Sequence, residues 1–226
     1  METGLTAQAM GGVAPSVRSL AERIESVRSI ARTIAARRPP PRCERLSGIH
    51  NPWGHAAALA DAWSFLDLCE HPAILDQVEQ LIGPDIVLWD SQLYLQAAAY
   101  LQFVNEGREG RYWPVEPLAG VVVIVGLGDA AQPLVSIELS ALAVDRLPRL
   151  DPSAALYVIR YMPSGSRFIR DGCSPPNWIA MEEQPLVNYA TRPLWLVRGE
   201  DRAGNDFVTG FSPPVPRWAG TQLKEH

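Results

Sequence analysis

The side chains best suited to chemistry recur at every second position of one segment. Residues 86–96 read IVLWDSQLYLQ, a pattern with the two-residue period of a β-strand. One face of this strand would carry Leu88, Asp90, Gln92, Tyr94 and Gln96. The opposite face would carry Trp89, Ser91, Leu93 and Leu95. Such a polar face either meets water or lines a cavity that holds a ligand, and we predict the cavity.

On that prediction the strand supplies three catalytic residues and one binding residue. Gln92 and Tyr94 would donate hydrogen bonds that polarise a substrate carbonyl. Asp90 would act as a general acid or base if burial raises its pKa. Gln96 would bind the substrate. Each of these side chains could instead be a core residue whose hydrogen bonds are satisfied inside the protein.

Four further candidates lie outside the strand. Glu109 is predicted to be another catalytic acid or base, for the same reason as Asp90. Tyr112 and Trp113 would bind the substrate by shaping an apolar pocket. Arg160 would anchor a substrate carboxylate, or would pair with an acid in the core.

The composition excludes several kinds of chemistry. The chain has 226 residues, 47% of them hydrophobic, and a net charge of -5, which is typical of one soluble globular domain. Its one lysine is Lys224, so no internal lysine can form a Schiff base or hold phosphate in a P-loop. No histidine lies between residues 72 and 225, so that region lacks a histidine base or metal ligand.

Charge, hydropathy and cysteine content predict the surroundings of the protein. The mildly negative net charge does not indicate the basic surface that nucleic-acid binding requires. The longest apolar run, 118–127, is too short to span a membrane. Cys43, Cys69 and Cys173 are widely spaced, as expected for reduced thiols in a cytoplasmic protein.

Helices are predicted before residue 84 and strands after it. Residues 1–14 are predicted to be a disordered tail, with helices at 15–38, about 54–69 and 71–81. Strands are predicted at 86–96, 98–104, 120–127, 134–142, 155–162 and 194–198. This order predicts an α+β protein whose residues 15–226 form a single domain with a β-sandwich or barrel as its body.

The predicted helix at 15–38 is amphipathic, with one apolar stripe and an arginine-rich opposite face. The stripe consists of Val17, Leu20, Ile24, Val27, Ala31 and Ile34. A basic amphipathic helix could lie on a membrane. We favour packing on its own domain, or on a second copy of the chain in a homodimer.

Several segments resemble the phytanoyl-CoA dioxygenase family, double-stranded β-helix oxygenases that use Fe(II) and 2-oxoglutarate. These segments are 71–96 (HPAILDQVEQLIGPDIVLWDSQLYLQ), 110–114 (GRYWP), 156–163 (LYVIRYMP) and 192–207 (RPLWLVRGEDRAGNDF). The resemblance implies a jelly-roll, cupin-like barrel flanked by N-terminal helices.

The positions that would bind the cofactors of that family are changed. Its H-x-D motif would fall at Gly107-Arg108-Glu109, and its second histidine near 143–145, where no histidine stands. Residues 152–154 lack the arginine that would bind 2-oxoglutarate, and Gln96 replaces a lysine. A facial iron site needs two imidazoles and a carboxylate. We therefore predict that the chain binds neither metal nor cofactor.

The retained aromatic and polar residues favour a metal- and cofactor-independent cyclase or isomerase. Such a cavity could fold a small hydrophobic substrate for cycloaddition or ring closure, for example of a polyketide-like intermediate in bacterial secondary metabolism. One alternative is a non-catalytic pseudo-oxygenase that acts as a scaffold or binding protein. A second is an Fe(II)/2-oxoglutarate dioxygenase with atypical ligands, such as His50 and His55.

Overall fold

A computed structural model describes residues 18–37, 45–129, 134–183 and 191–207. The predicted tail at 1–14 lies outside these ranges, as do Cys43 and Lys224. None of the helices in the described ranges is long and apolar enough to cross a membrane.

Three helices cover one face of the central sheet. α1 (Leu20–Ala35) begins with a capping box, in which Ser19 and Glu22 bond each other's backbone amides. α2 (Ala62–Cys69) begins at Asp61, whose carboxylate accepts a hydrogen bond from the Trp63 amide. α3 (Pro72–Ile82) follows directly. The stripe residues Val27, Ala31 and Ile34 of α1 are buried within the chain itself.

The central sheet is antiparallel throughout. It has the order β1 (Arg45–Ser47), β2 (Ile86–Tyr94), β6 (Leu156–Pro163), β4 (Val121–Gly126), β5 (Leu134–Glu138), with β8 (Trp195–Arg198) also paired to β2. A separate two-stranded sheet pairs β3 (Val115–Glu116) with β7 (Arg167–Phe168). The α+β class is therefore confirmed. The described strands do not close into a barrel, and the jelly-roll assignment stays a prediction.

The prediction of a strand at 98–104 is wrong, because this segment is helical. It lies in α4 (Ala97–Asn105), whose buried residues Ala97, Tyr100, Phe103 and Val104 recur at helical spacing. α5 (Arg108–Tyr112) follows after one turn, and α6 (Pro175–Glu183) comes later in the chain. The predicted strand at 134–142 also ends early, at Glu138, where a 3-10 helix (Leu139–Ala141) begins.

The sheet separates two apolar cores. The helix-side core lies between the sheet and α1 to α3, and includes Val27, Phe65, Ile74, Leu88, Val123 and Ile159. The second core lies on the opposite face, among α4, α5 and the small sheet, and includes Trp89, Tyr100, Tyr112, Ile124, Val158 and Phe168. The predicted site residues belong to the second core, with one exception described below.

Candidate functional site

A β-bulge in β2 directs Asp90 into the second core. Leu88 pairs with Tyr161 of β6, but Asp90 pairs with Arg160, so Trp89 is an extra residue in the ladder. Leu88 therefore packs in the helix-side core, whereas Trp89 and the Asp90 carboxylate both face the second core. The strict alternation predicted for 86–96 is wrong at Leu88 and Trp89, because the bulge shifts the pleat by one residue.

Arg160 is the centre of a buried ion-pair network. Its Nε and Nη2 atoms donate to Oε1 and Oε2 of Glu109 at 2.5 and 2.8 Å. Its Nη1 atom donates to Oδ2 of Asp90 at 2.9 Å. The other Asp90 oxygen, Oδ1, accepts a hydrogen bond from Arg192. Arg160 and Asp90 have no exposed surface, and Glu109 is 2% exposed.

The network holds the Arg160 guanidinium in its protonated form. Burial by itself lowers the pKa of Arg160, but the adjacent Glu109 and Asp90 carboxylates more than offset this and raise that pKa well above its usual value. Buried charges are tolerated only when they are paired and hydrogen-bonded. Arg160 supplies this pairing to both carboxylates at once.

A second hydrogen-bond network, centred on Gln92, lies beside the ion pairs. The Gln92 amide nitrogen donates to Ser47 Oγ at 3.0 Å and to the Tyr112 hydroxyl at 2.5 Å. The Tyr94 hydroxyl donates to Gln92 Oε1 at 2.7 Å, and Arg45 donates to the Tyr94 oxygen at 3.4 Å. Burial raises the pKa of Tyr94, which therefore stays a protonated donor.

Aromatic rings pack against the guanidinium groups of Arg45 and Arg160. The Arg45 guanidinium carbon lies 5.2 to 5.9 Å from the ring centres of Tyr94, Phe103 and Tyr112. The Arg160 guanidinium carbon lies 4.8 Å from the centre of the Tyr112 ring. These distances are typical of cation–π contacts. The aromatic residues therefore contribute to holding the charges as well as to filling the core.

Trp113 bonds to the ion-pair network and packs against the backbone at Gly120. Its indole N–H donates to Glu109 Oε1 at 3.1 Å. Its ring lies over Gly120, where a Cβ atom would come within 2.1 Å of Trp113 Cζ3. Only glycine leaves room for the indole at this position.

Seven of the eight predicted site residues are thus brought together. They are Asp90, Gln92, Tyr94, Glu109, Tyr112, Trp113 and Arg160, and all are buried. Gln96 lies outside the cluster, because β2 ends at Tyr94 and the chain turns so that Gln96 is the exposed residue before α4. The placement of Gln96 on an inner strand face is therefore wrong.

The sequence reasoning missed three residues that contact the cluster: Ser47, Arg45 and Arg192. Arg192 stands in the sequence at the start of the 192–207 segment, and in the structure it pairs with Asp90. Charge balance is the signal that could have found it, since two acids predicted to be buried require more than one cation.

His50 lies on the opposite face of β2. Its Nδ1 atom is 2.7 Å from Ser91 Oγ, and its ring packs edge-on against Trp195 with 4.9 Å between ring centres. Its Nε2 atom is buried and has no partner among the described residues. Burial and the positive charge of Arg192 lower the pKa of His50 to about 3, so its imidazole is neutral. The side chain of His55 lies outside the described residues.

An aromatic cluster at the surface lies beyond His50. It consists of Trp53, Trp63 and Trp195, with ring centres 6.0 Å apart for the first pair and 6.4 Å apart for Trp53 and Trp195. Trp53 is 55% exposed and Trp63 is 56% exposed. Clustered exposed tryptophans are typical of binding surfaces.

Two clefts lined by described residues lie away from the cluster. One, of about 220 Å³, is lined by residues that include Arg167, Arg170 and Asn205. The other, of about 350 Å³, lies beside α1 and is lined by residues that include Arg32 and Asp151. Neither of these two clefts contains a predicted site residue.

The residues at the expected iron site do not fit Fe(II) and 2-oxoglutarate. Gly107 has no side chain to bind a metal, and its φ of 63° lies in the left-handed region that favours glycine. Both carboxylate oxygens of Glu109 accept hydrogen bonds from Arg160. Within the described ranges, no three histidine, cysteine, aspartate or glutamate side chains are grouped so that they could hold a metal.

The fold and the site define an α+β protein with an ion-pair network at the core of an antiparallel sheet. Among solved structures, the chain is similar to CytC3 with Fe(II) and alpha-ketoglutarate, at 15% identity over 83% of this chain and 84% of that one, with a TM-score of 0.47. It is also similar to the non-heme monooxygenase ThoJ. The ThoJ–nickel complex is 17% identical with a TM-score of 0.38, and apo ThoJ is 16% identical with a TM-score of 0.41.

Each ThoJ comparison covers 81% of this chain and 78% of ThoJ. No family profile matches the chain. No curated protein matches it either. These are distant similarities of shape, and they assign no role to any residue.

Replacing Glu109 by glutamine is expected to lower the free energy of unfolding by about 3 to 5 kcal/mol, because it leaves Arg160 buried with half of its counter-charge. Urea denaturation measures the change. The matched control is Glu106→Gln, since Glu106 is exposed and lies three residues away; its effect should stay below about 1 kcal/mol. Equal effects of the two substitutions would contradict the role of Glu109 as a counter-charge that Arg160 requires.

The neutral state of His50 predicts a pH-dependent stability. Because the folded-state pKa is about 3 and that of the unfolded chain is about 6.5, the unfolded state binds a proton that the folded state excludes. Stability should therefore fall as the pH drops from about 6.5 towards 3, by up to about 1.4 kcal/mol per pH unit from this residue. Denaturation of wild type and His50→Gln across this range measures the difference, and equal slopes would refute the assignment.

Proposed function

We propose that this chain is a non-catalytic binding or scaffold protein of oxygenase-like architecture. One observation carries the proposal. The Arg160 guanidinium donates hydrogen bonds to the carboxylates of both Asp90 and Glu109, the two acids that could otherwise be catalytic groups. The Asp90–Glu109–Arg160 network then serves to stabilise the fold. The groups of this network that could act as a free acid, a free base or a metal ligand are engaged by contacts within the protein.

Acid–base catalysis requires a group that can reach a proton of the substrate within hydrogen-bond distance. Glu109 Oε1 accepts from Arg160 and from Trp113, and Oε2 accepts from Arg160. Both oxygens of Asp90 are held by arginines. A substrate would have to displace these partners, and breaking a buried ion pair is strongly unfavourable.

The same reasoning applies to the neutral donors. The Tyr94 hydroxyl and the Gln92 amide bond each other at 2.7 Å, and the Gln92 nitrogen is shared between Ser47 and Tyr112. A fully satisfied buried network fixes a unique core. The exposed Trp53 and Trp63, which lie beside the partly buried Trp195, favour a role in binding, since exposed aromatic groups are enriched at interfaces.

A metal-independent cyclase remains the second candidate, and one specific observation favours it. The Tyr100 hydroxyl is buried and has no hydrogen-bond partner among the described residues. Its ring centre is 5.2 Å from that of Tyr94, and burial raises the pKa of Tyr100 well above its usual value. A protonated, unpartnered donor at this position could polarise the carbonyl of a small hydrophobic substrate. Cycloaddition or ring closure of a polyketide-like intermediate stays a prediction.

The binding proposal is tested by titrating the full chain with 2-oxoglutarate in the presence of Mn(II), a redox-stable substitute for Fe(II). Calorimetry should give no saturable heat, and the Tm should not change, because the Glu109 oxygens are already bonded to Arg160. The comparison is Glu109→Gln, which should likewise give no saturable heat under conditions where circular dichroism shows that it is folded. One-to-one binding by wild type that the folded Glu109→Gln protein lacks would show that Glu109 is a metal ligand and would overturn the proposal.

The cyclase alternative is tested with a panel of hydrophobic ketones and lactones. If Tyr100 faces a binding cavity, such compounds should raise the Tm of wild type but not that of Tyr100→Phe, which loses only the hydroxyl. Our main proposal predicts that neither protein converts any of these compounds. Conversion of a stabilising compound by wild type that Tyr100→Phe does not perform would favour the enzyme and contradict the non-catalytic proposal.

A further inference from the structure

The β5 edge of the central sheet is open. β5 pairs with β4 on one side, from Val125 opposite Leu134 to Val121 opposite Glu138. No strand pairs with its other side in the described part of the chain. Four of its five residues are half-exposed and Glu138 is exposed, whereas β1 at the opposite edge is buried throughout.

The ladder geometry identifies the outward backbone groups. The Leu139 amide donates to the Gly120 carbonyl at 2.9 Å, which makes this a hydrogen-bonded pair. Because such pairs alternate along an antiparallel ladder, Ile137 and Val135 also bond inward to β4. The N–H and C=O groups of Leu134, Ser136 and Glu138 therefore point away from the sheet. None of these backbone groups bonds elsewhere in the described ranges.

β5 lacks most of the features that usually protect an edge strand. Its sequence, LVSIE, contains no proline, glycine or basic residue, and its one charge is Glu138 at the end of the strand. Its pairing with β4 has no bulge. An edge with free backbone groups, half-exposed aliphatic side chains and so little protection is a template for another strand.

The edge is complementary to itself. A two-fold axis through Ser136 would set Ser136 opposite its copy, with Leu134 opposite Glu138 of the second chain. It would also set Val135 opposite Ile137 of the second chain, so that aliphatic side chains meet on one face. No carboxylate would lie directly opposite another. Two-fold contacts of this kind are the commonest way for identical chains to associate.

We propose that the chain forms a homodimer in which β5 pairs antiparallel with β5 of a second copy, so that the central sheet continues across the two-fold axis. A dimer through the N-terminal helix was the expectation from the sequence. The stripe residues Val27, Ala31 and Ile34 of that helix are buried in their own chain. The exposed complementary surface is instead the β5 edge.

Light scattering of the full chain should give twice the monomer mass of 24.8 kDa. Ser136→Pro removes the outward N–H at the two-fold axis, and should weaken the dimer by about tenfold or more. The matched control is Ser136→Ala, which keeps this N–H and loses only the hydroxyl bond to Gln77. Ser136→Ala should remain a dimer. A monomeric wild type, or a folded Ser136→Pro chain that dimerises as tightly as wild type, would overturn the proposal.

Disulfide crosslinking keeps the test decisive if Ser136→Pro does not fold. In a Cys43→Ser/Cys173→Ser background, Ser136→Cys should form a covalent dimer under mild oxidation, because opposed Cα atoms in the ladder lie about 5.5 Å apart. Ser29→Cys, at an exposed position of α1, should stay monomeric. The reverse pattern would place the interface at the helix and refute pairing through β5.

Discussion

The second core depends on the neutralisation of two buried carboxylates by Arg160. Asp90 and Glu109 come from different elements, a strand and a short helix, and both are buried. Bringing them together without a cation would cost several kcal/mol for each charge. Arg160 meets both because it lies directly opposite Asp90 in the β2–β6 ladder. The bulge at Trp89 is what sets this register, so a local irregularity of one strand positions the whole network.

The sequence was sufficient to predict which residues would gather. Seven of the eight candidates lie in one buried cluster, and the pairing of Arg160 with a core acid was among the stated alternatives. The bulge could not be predicted, because one extra residue leaves no mark on an alternating pattern. The same limit explains α4: AAAYLQFVN fits either a strand or a helix when its packing partners are unknown. Arg192 joins Asp90 across 102 positions of the chain, a distance over which local patterns carry no information.

Together these features describe an α+β protein built on an antiparallel sheet, whose polar interior is committed to its own stability. A catalytic site normally keeps at least one charged or polar group available to the substrate. Here the carboxylates accept hydrogen bonds from arginines, and the Tyr94 hydroxyl donates to the Gln92 amide oxygen. The Tyr100 hydroxyl has no hydrogen-bond partner among the described residues. The exposed features lie elsewhere, at the Trp53–Trp63–Trp195 cluster and at the β5 edge. The proposed binding role follows from this contrast, because the buried polar groups are bonded within the protein whereas the tryptophan cluster and the β5 edge lie at the surface.

A double-mutant cycle between Glu109 and Arg160 tests the central claim most directly. It compares the free energies of unfolding of wild type, Glu109→Leu, Arg160→Met and the double variant. If the pair is a structural core, Glu109→Leu leaves Arg160 with one of its two carboxylates, and Arg160→Met leaves Glu109 buried without a cation. The double variant should then be more stable than Arg160→Met alone, with a coupling energy of about 2 kcal/mol or more. Strictly additive effects, with no recovery in the double variant, would contradict the account.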